Sequence, residues 1–192
     1  MTSTKPGAVR PSEILVGEAY EKERAGLRAR VMKEKSRRRL HLGDHLTFLF
    51  ENPLTIRYQV QEMLRIEKRD APEDIEHEVR TYNELLGGPG ELGATLLIEI
   101  DDPADRDHKL SSWLDLPGNL YLELEDGRRV SPRFDERQVG DERLSSVQYL
   151  IFPCEGSAPV AIGCAMDGLA LRSELTPVQR RALGDDLAAT LA

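Results

Sequence analysis

Over the first ninety positions, apolar residues recur at helical intervals among charged ones. Ala19, Leu27, Val31 and Met32 stand among Glu, Lys and Arg and predict a long helix over 17–39, with Gly26 as a weak interior point. The run His45-Leu46-Thr47-Phe48-Leu49-Phe50 is short, aromatic and apolar, which predicts an extended segment. Glu51-Asn52-Pro53 closes it and opens a second helix over 53–68, since proline fits a first helical turn where its missing N–H is no loss. Ile56, Val60, Met63 and Leu64 supply the apolar stripe of that helix. Asp70 to Asp74 repeats the start signal, with Asp70 as the expected N-cap, and Gly87-Gly88-Pro89-Gly90 stops a third helix.

Beyond position 90 the period shortens to two. Strands are expected over 94–100, 120–124, 128–130, 146–152 and 160–165, the last pairing with 169–171 through Asp167-Gly168. Asp126-Gly127 is the dipeptide favoured by a two-residue hairpin turn with positive φ. Asp102-Pro103-Ala104-Asp105 opens a short helix carrying Trp113, and Thr176-Pro177 caps a last one. Helices followed by mainly antiparallel strands define an α+β class, a helical N-terminal part packed on a mostly antiparallel sheet. Residues 1–11 are expected as a mobile tail and 12–192 as one α+β domain, mainly helical over 12–90 and mainly β with a C-terminal helix over 91–192.

The formal charge of −8 is unevenly spread. Residues 1–70 carry a net +5 and residues 71–192 a net −13. The densest basic segment is Arg28, Arg30, Lys33, Lys35, Arg37, Arg38 and Arg39, relieved only by Glu34. Such a cluster can meet phosphate or nucleic acid, but a pI near 5.1 and the absence of aromatic residues within the run argue against nucleic acid. Arg28, Arg30, Arg37, Arg38 and Arg39 are therefore candidates for docking an acidic partner, or for pairing with the acidic second part of the same chain. The stretch MTSTKPGAVRPSE lacks the apolar core of a signal peptide, no segment has the length of a membrane span, and a cytoplasmic location is expected. Cys154 and Cys164, ten apart, form no CxxC motif and read as small buried thiols.

Signatures of catalysis are missing. There is no GxSxG or GxxxxGK[ST], and Pro89 removes an amide that a phosphate cradle in the glycine run would use. No cofactor is implied, and the reading leans away from an enzyme. The remaining constellation is His45, Glu51, Asn52, Gln59, Gln61 and Glu62, beside the apolar stripe of the second helix. It fits a buried polar network holding that helix to the sheet, with an enzyme or metal-binding site around His45, Glu51, Gln59 and Glu62 as the alternative. A metal would use His45, Glu51 and Glu62, yet one histidine without ExxH spacing is a poor donor set, so no metal is assigned.

The strings RRRLHLGDHLTFLFENPLTIRYQVQEMLRIEK, YNELLGGPGELGATLLIEIDDPADRD and FDERQVGDERLSSVQYLIF, with their phrases FEN, QVQEM, ELGATLLIEI and SVQY, resemble an uncharacterised bacterial domain-of-unknown-function family over most of residues 12–190. Members of that family tend to be encoded beside a rubrerythrin-like protein and a large iron–sulfur oxidoreductase. The resemblance thus implies an accessory or binding role near redox or peroxide defence, with one of those two proteins as partner. It supplies no catalytic residues.

Overall fold

Chain segments with strong local signals become the elements of a computed structural model that describes Lys5 and residues 7–191. The helices are α1 (Gly17–Ser36), α2 (Pro53–Glu67), α3 (Pro72–Asn83), α4 (Pro103–Ser112), α5 (Leu116–Asn119) and α6 (Pro177–Leu191). The strands are β1 (Arg39–Leu42), β2 (Leu46–Phe50), β3 (Leu92–Ile98), β4 (Leu120–Leu124), β5 (Arg129–Val130), β6 (Val147–Phe152), β7 (Pro159–Cys164) and β8 (Leu171–Glu174). They form two four-stranded antiparallel sheets, ordered β1-β2-β3-β6 and β5-β4-β7-β8, so the α+β class holds with two sheets rather than one.

Alternation along the strands decides what the sheets bury. Leu40, Leu42, Phe48, Phe50, Leu96 and Leu150 of the first sheet share one apolar cluster with Leu120, Leu122, Leu124 and Ile162 of the second, closed by Leu183 and Leu187 of α6. The helices bury two clusters of their own. Val9, Ile14, Ile56, Val60, Leu64 and Val79 make one, and Tyr20, Leu27, Val31 and Tyr58 the other. Among the described residues no strand contributes to either of these two clusters, so helices α1 to α3 and the sheets do not share a core.

Several expectations are revised. Helix α1 stops at Ser36, and Arg39 begins β1, because Leu40 and Leu42 pair with Phe48 and Leu46 and bury the same face. The buried face of α1 is Tyr20, Leu27 and Val31, whereas Met32 is exposed. The cap of α3 falls on Ala71 rather than Asp70. The β4–β5 connection is a three-residue loop, Glu125-Asp126-Gly127, in which only Gly127 takes positive φ. Of the tail expected over 1–11, residues 1–4 and 6 lie outside the described residues. Val9 is buried, its backbone is held on both sides by the Asn83 amide, and the Lys5 ammonium donates to the carbonyls of Glu84 and Leu86 at the end of α3.

Outer-edge bonding is limited. Strand β5 has two residues, β1 and β8 lie beside one another, and Arg133 bridges to Ile151 on the free side of β6.

Candidate functional site

The FEN phrase sits where β2 passes into α2. Asn52 is the N-cap: its side-chain oxygen accepts from the Thr55 N–H at 3.0 Å, and the Thr55 hydroxyl accepts from the Asn52 N–H at 3.0 Å. That reciprocal pair satisfies two first-turn amides and fixes the entry angle of the helix. The Thr55 hydroxyl in turn donates to Glu51 at 2.5 Å, Gln59 Nε2 donates to the same carboxylate at 3.0 Å, and Thr95 of β3 donates at 3.3 Å. Glu51 is 6% exposed and, among the described residues, has no cationic partner. Hydrogen bonds alone compensate its burial. The result is a polar seam between α2 and the first sheet, and Gly93 allows it. A Cβ there would meet the Leu85 carbonyl at 1.8 Å, and the Gly93 carbonyl accepts from the Glu51 N–H at 2.9 Å.

The remaining candidates diverge from Glu51. Glu62 faces α1, accepting from Tyr20 at 2.6 Å and from both Arg24 nitrogens at 2.7 and 2.9 Å. Arg24 holds the Glu62 carboxyl at a pKa of about 2. His45 meets the Glu99 carbonyl at 3.2 Å and lies beside the Trp113 ring, with neither Glu51 nor Glu62 among its partners. Among the described residues, no group of three or more His, Cys, Asp or Glu is placed to hold a metal ion. Gln61 turns elsewhere. Its Oε1 accepts from the Leu15 N–H at 2.9 Å while its Nε2 has no partner.

The basic run also separates by role. Arg38 is 5% exposed and grips Asp186 of α6 with two nitrogens, at 2.7 and 2.9 Å, while also bonding Glu34. It ties the end of α1 to the C-terminal helix and is not available for docking. Arg37 pairs with Glu34. Arg28, Arg30 and Arg39 are exposed and, among the described residues, unpaired. The groove beside Arg30, about 690 Å³ between α1 and α2, is also lined by Lys22, Glu23 and Arg57, whose buried Nε has no partner. Arg57 was not singled out from the sequence; it lies outside the basic run and is brought to Arg30 only by helix packing.

Residues 8–187 match the pattern of the family described as "Protein of unknown function (DUF3501)". The chain belongs to this family. A protein of unknown function from Burkholderia pseudomallei K96243, solved by crystallography at 1.90 Å resolution, is similar in sequence and structure. It is 30% identical with a TM-score of 0.84, over 94% of this chain and 99% of that one. No curated protein matches. Among the described residues, no helix of this DUF3501 chain is long and apolar enough to cross a membrane.

Proposed function

We propose that the chain is a non-enzymatic accessory protein that docks the acidic surface of a protein partner on the exposed face of α1. The observation that carries this reading is the division of labour among the arginines. Arg38 is buried in an internal fork, whereas Arg28, Arg30 and the neighbouring Lys33 are exposed without a carboxylate in ion-pair distance among the described residues. Unpaired cations on a chain that is acidic as a whole are a local field of opposite sign, suited to steering and registering an acidic surface. The groove at Arg30 and Arg57 adds a recess into which an acidic side chain could reach. The setting implied by the family resemblance makes the partner a rubrerythrin-like protein or an iron–sulfur oxidoreductase, within a redox or peroxide-defence system of the cytoplasm.

The test is binding of the purified chain to each of these two proteins from the same organism, followed by surface plasmon resonance at low and raised salt. The triple variant R28A/R30A/K33A leaves the Arg38 fork intact and should keep its thermal midpoint, because exposed substitutions of this kind change stability by about 0.5 kcal/mol or less. Binding should weaken about tenfold or more in the variant and fall with salt in the parent chain. Binding to neither protein, or equal binding by parent and variant, rejects the proposal.

A further inference from the structure

We propose that the cavity between the start of α1 and the end of α2 binds a phosphate-type oxyanion, free or as the terminal group of a small phosphorylated metabolite. The site is separate from the docking face, whose Arg28, Arg30 and Lys33 lie further along α1 and outside the cavity. Its volume is about 260 Å³. That is below the roughly 300–1,000 Å³ of sites for drug-sized molecules and suits one small charged group.

Two independent features ask for an acceptor in the same place. The first is the beginning of α1, a twenty-residue helix whose N-cap is Val16. Valine offers no side-chain oxygen, so the first-turn N–H groups go without a side-chain cap, and the positive end of the helix dipole faces whatever fills the cavity that Val16 and Gly17 line. Gly17 stands at φ +58° immediately before right-handed helix, a change of hand that gathers successive N–H groups toward one side, and no atom lies within 4 Å of where its Cβ would be. The second feature is Gln61, which lines the cavity from α2 and is 1% exposed. The Leu15 N–H must meet an acceptor, which fixes the amide with Oε1 toward Leu15 and leaves the buried Nε2 as a donor without a partner.

Charge around the cavity agrees with an anion. Lys68 is unpaired among the described residues, while Arg65 is engaged by Glu21 and Arg69 by Glu67 and Asp74. The carbonyls of Leu64 and Arg65, in the last turn of α2, already accept from the N–H groups of Arg69 and Lys68, which lessens but does not remove the repulsion this helix end offers an anion. Asp70 on the rim also opposes one, and its removal should help.

Isothermal titration of the full chain with inorganic phosphate and with glycerol 3-phosphate, with chloride as control, tests the site. The parent chain should bind phosphate and gain thermal stability with phosphate concentration. Q61E keeps the acceptor for Leu15 and replaces the donor with a carboxylate oxygen, and binding should be lost. K68G removes the cation at a position whose φ of +55° suits glycine; the chain should fold normally and bind at least about fivefold more weakly. D70N should bind more tightly. Tighter binding of the ester than of phosphate identifies the terminal-group source, and equal binding identifies the free anion. Absence of phosphate binding by the parent chain, or affinities unchanged in K68G and D70N, overturns the proposal even if Q61E fails to fold.

Discussion

Glu62 gathers three donors from α1, and its protonation state is coupled to the packing of two helices. The bidentate Arg24 guanidinium is the main cause of its pKa of about 2 against an ordinary 4.5, with the Tyr20 hydroxyl adding to it. Burial and the bond to Glu62 together keep Tyr20 protonated well above its ordinary range. A carboxyl whose folded pKa lies below its unfolded value stabilises the fold above pH 4.5 and ceases to do so as pH falls toward 2. E62Q should therefore cost on the order of 1–2 kcal/mol at pH 7 after solvent screening, and nothing comparable at pH 2. Urea unfolding of both chains across that range checks it; a parallel pH dependence in E62Q would refute the coupling. Other residues are inert by the same physics. Burial pushes the Cys154 thiol up to about 12 and raises Cys164, and both side chains are free and buried. Neither thiol is placed to act as a nucleophile, because neither is ionised or accessible.

At the scale of elements, α1 carries an exposed Gly26 in its middle with no atom within 4 Å of an added Cβ. Glycine in a helix interior costs roughly 0.5–1 kcal/mol relative to alanine, so G26A should raise the thermal midpoint by about 1–4 °C. Calorimetry reads this directly, and a lowered midpoint would refute it. Where an element carries its own boundary signal, the sequence was enough to place it. Asn52-Pro53 and Thr176-Pro177 mark the starts of α2 and α6 because the caps are made by neighbours in the chain. Nothing in Arg37-Arg38-Arg39 breaks a helix, so the pattern carries α1 on to Arg39 and leaves 40–42 unassigned; the extended form of β1 is imposed by pairing with β2. The same limit applies to the sites. Glu51, Asn52 and Gln59 were legible together since they share one helix start, whereas Gln61 gains its meaning from Val16 and Gly17, more than forty positions away, and Arg57 from Arg30. Arg38 looked like its neighbours until Asp186 was placed against it.

For the whole molecule, the separation of apolar clusters matters more than the uneven spread of charge along the chain. Helices α1 to α3 are joined to the paired sheets and to α6 by hydrogen bonds and ion pairs, such as those of Glu51 with Thr95 and Arg38 with Asp186 respectively, rather than by common burial. Parts of a protein that share few apolar contacts open with different free energies. Native-state hydrogen exchange should show amides of α1, α2 and α3 exchanging together at lower free energy than those of β2, β3, β4 and β7. A single common opening free energy would contradict this. What such an opening exposes depends on the strand edges. A row of unsatisfied N–H and C=O groups is the template on which chains stack into fibrils, and here β5 is too short to offer one, β1 is shadowed by β8, and β6 is partly occupied by Arg133. The helical layer can therefore loosen, as docking or ligand exchange would require, without seeding aggregation from the sheets beneath it.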